Sequence, residues 1–452
     1  MHRKIYLLFG MVFLFGMTNY VTKAESGALS LNQAISLALE HDFQVQNDRN
    51  QKTKSGLGVK EAAKGRYPQA TVDYSLQHDL INEENSNRYS LMITETFETG
   101  WSLYGSKVAT TVKAASWEEV LAGLQFKITQ ANTIYNTTSL YLQVLKLTEN
   151  LRLNQLASKN LEKAASIAAE RLKLGKITKS DELKIQNDLA NSQYELEKCQ
   201  ADRTLALTEL ANQIGMLDPN QLYLENASKS LETKSFNYVE LRNELLKRRL
   251  EINQSEIGLQ KARRIWAQQK NEILPNVGLG YNYQQLNGSQ NQTANLNYSL
   301  LNGTLTGNAQ TQPAEDLRSV HSSQNLALNL DWKFNYGSSS DRAKQAQLDV
   351  DNALNSQKQT IAQVKLDLEK AISTYELATK KISISQKAIA YYQKNLSVKQ
   401  LELKLGTVTQ LEVALVEQEL LVAQLNVVSS QYDQLIADQK LKLAAGLLYP
   451  EK

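Results

Sequence analysis

The sequence predicts a mainly α-helical protein that contributes strands to a membrane β-barrel and is built from two copies of one structural unit. Three observations support this prediction: an export signal at the N-terminus, a repeat that spans nearly the whole chain, and four segments of alternating apolar and polar residues. The 452 residues include 42% hydrophobic residues and only 5 prolines. This composition suits long helices but is too polar for a bundle of membrane-spanning helices.

The N-terminus has the pattern of a secretory signal peptide, which we assign to residues 1–24. Arg3 and Lys4 precede an apolar run over 5–17, which is too short to span a membrane comfortably. The formal net charge of +3 comes entirely from this segment, because it contains Arg3, Lys4 and Lys23 and no acidic residue. The mature chain is therefore neutral, and nucleic acid is not predicted as a partner.

The mature chain repeats one sequence pattern. Residues 172–178 recur 231 positions later at 403–409, and the helix-to-strand switch at Pro68 recurs 207 positions later at Pro275. The two offsets differ, which predicts an insertion in the second copy within the polar segment 287–324. We assign four parts to the mature chain: the first repeat 25–217, a linker 218–235, the second repeat 236–448 and a tail 449–452.

The first repeat has the order helix, strand, strand, long helix, tip, helix. The first helix ends before Pro68, because proline lacks the amide hydrogen that a helix needs. Alternating residues then predict two strands, and Gly175 interrupts the helical pattern that follows them. The predicted elements are helix 30–66, strands at about 68–80 and 88–99, long helix 101–174 and helix 178–214.

The second repeat follows the same order, with helix 239–273, strands at about 275–286 and 325–336, and long helix 339–405. Its second strand alternates most regularly, with Leu326, Leu328 and Leu330 on one face. Such alternation is typical of a lipid-spanning barrel strand, although one strand of a soluble sandwich has the same pattern. Four such strands, placed symmetrically in an exported chain, favour the barrel.

The element lengths constrain the assembly. Two short helices match one long helix in length, which predicts short helices stacked end to end beside an element roughly 100–110 Å long. Four strands cannot close a barrel, and open edges in lipid leave backbone groups unpaired. The strands must therefore close with copies from other chains. Two chains would give eight strands and three would give twelve, and the residues alone do not choose between them.

The signal peptide, the twofold repeat, the Tyr67-Pro68-Gln69 switch and the Leu-x-Leu-Gly-x-x-Thr tips together resemble the TolC-like outer-membrane efflux protein family. The resemblance implies a homotrimer with a twelve-stranded β-barrel, four strands per chain, continuous with a long periplasmic α-helical barrel. It implies an outer-membrane channel of a tripartite efflux or type I secretion system that exports small molecules or proteins. The implied partners are outer-membrane lipid, a periplasmic adaptor (membrane fusion) protein and an inner-membrane pump or ATPase.

The resemblance also implies two candidate sites. Adaptor docking is expected at the helix-hairpin tips, and the matching residues are Leu174, Gly175, Lys176, Leu405, Gly406 and Thr407. Glu412 matches a position that forms an acidic ring at the periplasmic constriction, and Asp181 is its counterpart in the first repeat, a candidate latch. The alternative interpretations are that the glycines only provide turns and that Glu412 is a solvated carboxylate.

Aromatic residues gather where the predicted strands meet the helices, a distribution typical of membrane–water interfaces, although each could also be a core residue. They are Tyr67, Phe97, Trp101, Trp332 and Tyr336. The loops 81–87 and 287–324 are then expected to face the outside of the cell.

No catalytic, cofactor-binding or metal-binding pattern is present, since the histidines of the mature chain are not at ligand spacing. We therefore predict no enzyme activity, no cofactor and no metal. The alternative to a channel is an exported coiled-coil structural or adaptor protein. Such a protein would lack the four alternating strands.

Overall fold

The computed structural model describes residues 28–78, 87–99, 107–219, 222–226, 236–271, 275–287, 290–301, 303–313, 320–331 and 337–449, so the predicted signal peptide lies outside it. The helices are α1 (Leu31–His41), α2 (Phe43–Lys64), α3 (Lys107–Lys173), α4 (Lys179–Gln213), α5 (Tyr238–Arg248), α6 (Leu250–Asn271), α7 (Ser338–Lys404) and α8 (Gln410–Ala444). The strands are β1 (Gln69–His78), β2 (Asn87–Glu98), β3 (Asn276–Asn287), β4 (Gln290–Ser299), β5 (Thr304–Pro313) and β6 (Val320–Asp331).

The helices of the two repeats correspond residue for residue, which confirms the predicted twofold repeat. The long helices α3 and α7 have 67 residues each. The helices that follow them, α4 and α8, have 35 residues each. The short pairs also match, with 11 residues in α1 and α5 and 22 residues in α2 and α6. At 1.5 Å per residue, each long helix extends about 100 Å.

The helices lie side by side in four columns, which are α3, α7, the stack of α1, α2 and α4, and the stack of α5, α6 and α8. Helix α3 contacts α2, α4, α6 and α8, and α7 contacts α6 and α8. The short helices are thus stacked end to end beside the long ones, as predicted. Among the described helices, none combines the length and the apolar character that crossing a membrane requires.

The predicted helices 30–66 and 239–273 are each broken once, so the expectation of single helices was wrong. The breaks fall at Asp42 and Arg249, which correspond in the repeat. Asp42 has an extended backbone, and its carboxylate accepts hydrogen bonds from the backbone N–H groups of Gln44 and Val45, which caps α2. At the second break, the Arg249 guanidinium donates to the carbonyl oxygen of Ala444 over 2.9 Å.

The strands form one antiparallel sheet in the order β1-β2-β5-β4-β3-β6. The four predicted strands are all present, as β1, β2, β3 and β6. The prediction of four strands per chain is nevertheless too low, because β4 and β5 lie in the segment 287–324 that was expected to be an outer loop. β3 to β6 form a Greek key, in which the last strand returns to lie beside the first.

Strand β6 begins at Val320, five residues before the predicted start, and the predicted end over 332–336 lies outside the described residues. The register nevertheless confirms the predicted alternation, since Leu328 pairs with Leu279 and Leu326 with Tyr281. Directly opposite residues in an antiparallel pair point to the same side of the sheet. The leucines of β6 therefore share one face with the apolar residues of β3.

This apolar face continues into the first repeat, where Val72 pairs with Ile93 and Tyr74 with Leu91. Many of its large side chains, including Val72, Ile93, Leu279 and Leu326, are 40–83% exposed in the single chain, far more than a soluble core would allow. Among its described residues, Glu95 is a charged exception, three positions from the end of β2. The opposite face carries small and polar residues such as Ser75 and Ser90, whose hydroxyls lie 2.8 Å apart.

Candidate channel surfaces and hairpin tips

The tip between α3 and α4 is a helix-terminating turn that requires glycine. Gly175 has a φ of 67°, and its N–H donates to the Leu172 carbonyl over 2.9 Å. The N–H of Lys176 reaches back to the Arg171 carbonyl, also over 2.9 Å. This pair of bonds is the Schellman motif, which satisfies carbonyl groups at a helix end.

The tip between α7 and α8 repeats this geometry around Gly406, which has a φ of 73°. The N–H groups of Gly406 and Thr407 donate to the carbonyls of Leu403 and Glu402, each over 3.0 Å. The Thr407 hydroxyl adds a further bond to the Glu402 carbonyl. A side chain at either glycine would meet nothing within 4 Å, so the backbone conformation alone demands glycine at both tips.

Each tip presents an exposed leucine immediately before its glycine. Leu174 is 68% exposed and Leu405 is 78% exposed. Neither leucine belongs to the apolar clusters that hold the helices together. Two large apolar side chains at equivalent, solvent-facing positions form a surface suited to a protein partner.

Asp181 and Glu412 occupy equivalent positions one turn beyond the tips, and each closes a capping box. The Thr178 hydroxyl accepts from the Asp181 N–H, and the Asp181 carboxylate accepts from the Thr178 N–H over 3.1 Å. Glu412 makes the same exchange with Thr409. These bonds satisfy amide groups at the starts of α4 and α8.

The capping bonds of Asp181 have an electrostatic consequence. They stabilise its charged form, so the Thr178 hydroxyl and N–H lower the pKa of the Asp181 carboxyl. The structure thus assigns Asp181 and Glu412 a local structural role, which the sequence analysis did not describe. Their predicted roles as latch and constriction concern the assembled channel and remain predictions.

An apolar cluster near the tips joins the two helix hairpins. Ala164 and Ala168 of α3 pack against Leu411 and Ala414 of α8, and Ile185 of α4 completes the cluster. Small residues allow the helices to approach closely along this line. This cluster therefore joins the two hairpins close to their tips.

The described chain also contains a clamp that the sequence analysis missed. Leu29 forms an isolated parallel bridge with Leu224 of the linker, and the buried Tyr141 hydroxyl lies 2.7 Å from the carbonyl oxygens of both Leu29 and Glu225. Burial, and then the negative charge of Glu225, raise the pKa of Tyr141 to about 12. A single tyrosine in a helix has no sequence signature that would reveal such a contact.

The structure describes two of the five aromatic residues that were predicted at the membrane interface. Tyr67 is 69% exposed, between the end of α2 and β1, and Phe97 lies in β2 opposite Leu305. Trp101, Trp332 and Tyr336 lie outside the described residues. At the same end of the sheet, the hydroxyl of Tyr298 in β4 lies 3.2 Å from that of Thr99.

No sequence among curated proteins matches this chain. Three solved structures share its fold over most of their length. CusC aligns with a TM-score of 0.70 at 16% identity, covering 92% of each chain. VceC from Vibrio cholerae gives 0.69 at 17% identity, covering 92% of this chain and 96% of VceC. The outer membrane channel CmeC from Campylobacter jejuni aligns with a TM-score of 0.67 at 14% identity, covering 93% of this chain and 86% of CmeC.

These likenesses define the class of protein by its fold, a β-barrel that continues into a long helical barrel. In sequence, residues 34–216 match the profile of the outer membrane efflux protein family. The matched range spans α1 to α4, and the second repeat carries the same helices. The described chain thus shares the fold of CusC, VceC and CmeC, and its first repeat also carries the sequence profile of the outer membrane efflux protein family.

Proposed function

We propose that three copies of this chain form the outer-membrane duct of a tripartite efflux or type I secretion system. The observation that carries the proposal is the sheet, which combines an exposed apolar face with two open edges. Strands β1 and β6 are each paired on one side only. A sheet edge in lipid leaves backbone groups unsatisfied, so a stable form needs further copies of the chain.

The helical part supports the same assembly. Its four columns per chain are about 100 Å long and continue from the strands, because α2 leads into β1 and β6 leads towards α7. Copies of the chain arranged around an axis would place these columns in a tube below the barrel. Such a tube is long enough to reach from the outer membrane deep into the periplasm.

We propose further that the two tips receive a periplasmic adaptor, with Leu174 and Leu405 as the apolar contacts. Gly175, Gly406, Lys176 and Thr407 would shape the turns that present these leucines. An inner-membrane pump or ATPase would supply the energy, since this chain carries no pattern for energy-driven chemistry. The supporting observation is the exposure of equivalent leucines at both tips.

Membrane extraction and mass measurement test the channel proposal. We expect the protein to resist washing with high salt and alkaline carbonate, to dissolve in detergent, and to have three times the mass of the mature chain. An exported coiled-coil protein would instead wash off with salt. A detergent-soluble monomer or dimer would contradict the trimer.

Substitution of the tip leucines tests docking. Burying one leucine contributes about 1.5–3 kcal/mol, so Leu174→Ser with Leu405→Ser should weaken adaptor cross-linking at least about tenfold. Trimer yield should not change, because both side chains are exposed in the described chain. Leu217→Ser, which changes a fully exposed leucine four residues beyond the other end of α4, is the matched control. Normal cross-linking in the double variant would contradict the docking role.

A further inference from the structure

The β4–β5 hairpin continues the alternation of the four predicted strands. Leu296 of β4 pairs with Tyr281 of β3, and Ala309 of β5 pairs with Ile93 of β2. Because directly opposite residues share a face, Leu296 and Ala309 of this hairpin connect the apolar face of β2 with that of β3. A soluble outer loop would have no reason to maintain this register.

The other face of the hairpin is polar and uncharged. Asn295 and Asn308 are opposite each other, and the Asn295 amide donates to the Asn308 side-chain oxygen over 2.8 Å. Neither strand contains Asp, Glu, Lys or Arg. The lining that this hairpin offers is therefore made of amide and hydroxyl groups.

The hairpin is also fitted to its neighbours. A Cβ atom at Gly280 in β3 would lie 2.9 Å from the Asn297 side-chain oxygen and 3.4 Å from the amide nitrogen of Asn329. Side chains from β4 and β6 thus occupy the space above this glycine, as expected where glycine permits a close approach in a strand. The hairpin lies within the sheet, between β2 and β3, so these two strands do not pair with each other.

We propose that the β4–β5 hairpin is part of the barrel wall, so that the trimer closes on eighteen strands. This inference rests on the proposed trimeric channel. The six strands alternate in direction across the sheet, so β6 of one chain can pair antiparallel with β1 of the next. Three copies then close without a parallel seam, as transmembrane barrels require.

The strand count sets the width of the outer-membrane pore. Barrel diameter grows in proportion to strand number, so eighteen strands enclose about twice the cross-section of twelve. Strands 4.8 Å apart and tilted by about 40° give a circumference of about 110 Å for eighteen and about 75 Å for twelve. Twelve helices 8–10 Å apart give about 100–120 Å. The wider barrel therefore matches the helical tube beneath it.

A wide barrel with an uncharged hairpin lining would not select cargo molecules by their charge at this point. Bulky polar molecules that pass the helical tube would meet no narrower, charged segment formed by β4 and β5. Discrimination between substrates would then fall to the periplasmic end of the duct and to the pump.

Cysteine labelling in intact outer membranes tests the placement of the hairpin. In a Cys199→Ala background, Leu296→Cys and Asn295→Cys probe the two faces of β4. Leu326→Cys and Asn325→Cys are matched controls in β6, because they flank the same β3 residues, Tyr281 and Asn282. Each variant is treated with a charged, membrane-impermeant maleimide and with a lipid-soluble maleimide.

We expect the charged reagent to label Asn295→Cys and Asn325→Cys, and to leave Leu296→Cys and Leu326→Cys at least about tenfold slower. Rapid labelling of Leu296→Cys with continued protection of Leu326→Cys would overturn the wall placement and leave the channel intact. Rapid labelling of Leu326→Cys would instead overturn the proposed barrel, and this inference with it.

The strand count of the detergent-free trimer, seen by electron cryomicroscopy in lipid nanodiscs, is a second readout. Eighteen strands support the inference and twelve overturn it. An excision variant provides the comparison, with 288–319 replaced by Asn-Gly. Because Asn287 and Val320 are opposite each other, a two-residue turn can join them, and this variant should form a twelve-stranded trimer.

Discussion

At the scale of single residues, substitution of a tip glycine tests the strain of its backbone conformation separately from adaptor docking. Gly175 needs a positive φ, but the space around it is open. Gly175→Ala should therefore lower the free energy of unfolding by about 1–2 kcal/mol, because an L-residue is strained there. Gly123→Ala should raise it by about 0.5–1 kcal/mol, since Gly123 lies inside a helix with free space. Thermal melting of purified trimers measures both changes, and equal effects would contradict the argument.

Tyr141 ties Leu29, just before α1, to Glu225 through its hydroxyl. Tyr141→Phe removes the donor and leaves the Leu29 and Glu225 carbonyls without this bond. We expect a loss of about 1 kcal/mol in the free energy of unfolding. Tyr194→Phe, at a residue 63% exposed, should have no measurable effect in the same denaturation experiment.

The raised pKa of Tyr141 predicts a specific alkaline instability. A tyrosine in the unfolded chain ionises near pH 10, whereas Tyr141 in the folded chain stays neutral up to about pH 12. Between these values the unfolded chain binds fewer protons, so stability falls as pH rises. Melting temperatures measured from pH 9 to 12 should fall more steeply in the parent protein than in Tyr141→Phe. Parallel curves would exclude this role.

Glu412 combines a local capping role with a predicted charge at the periplasmic constriction. Glu412→Gln keeps an oxygen that can accept from the Thr409 N–H but removes the charge. If Glu412 copies surround the constriction, this variant should reduce cation selectivity severalfold at unchanged melting temperature. Asp181→Asn is the matched control in the first repeat. Unchanged selectivity in single-channel recordings would leave Glu412 with its capping role alone.

The residues that could be predicted are those with a local sequence signature. Gly175 and Gly406 interrupt helical patterns at equivalent positions, and the structure confirms a positive φ at both. The capping boxes had a signature too, since Thr178 and Thr409 precede Asp181 and Glu412 by three residues. Tyr141 was not predictable, because its partners are distant in the chain and its hydroxyl could have faced solvent.

At the scale of elements, the break between α1 and α2 shows where helix prediction failed. No proline or glycine marks it, so the helical pattern passed through Asp42. The carboxylate of Asp42 caps α2 and also accepts from the Thr133 hydroxyl over 3.1 Å. Tertiary contact thus fixes an interruption that local preference leaves open.

Removing the Asp42 carboxylate should destabilise the start of α2. Asp42→Ala should reduce the free energy of unfolding by about 1–2 kcal/mol, the usual contribution of a helix cap. Glu40→Ala changes an exposed carboxylate two residues earlier and should be nearly neutral. Chemical denaturation compares the two variants, and similar losses in both would contradict the capping role.

The β4–β5 hairpin was the element that sequence reasoning missed. Its strands contain Asn, Gln and Thr at most positions, and only Leu296, Tyr298 and Leu305 are large and apolar. Strand patterns were recognised by bulky apolar residues on one face. Here alanine and glycine occupy several places on that face, so the period of two was hidden by small side chains.

At the scale of the whole molecule, the repeat made the helical architecture predictable. Two offsets fixed the order of elements, and the lengths of the helices fixed their stacking. The sheet was less predictable, because its order depends on which strands meet across the molecule. The insertion of β4 and β5 between β2 and β3 follows from a Greek-key return that no local pattern encodes.

The orientation of the sheet gives a final prediction about the molecule in its membrane. Leu328 lies on the apolar face and the adjacent Asn329 on the opposite face of β6. A lysine on the lipid side of a barrel strand costs about 2–4 kcal/mol at the bilayer midplane, whereas a lysine facing the lumen is tolerated. Leu328→Lys should therefore sharply reduce folded trimer in outer membranes, while Asn329→Lys should retain it. Quantifying heat-resistant trimers in isolated membranes measures both, and the reverse order of effects would mean that the apolar face lines the lumen.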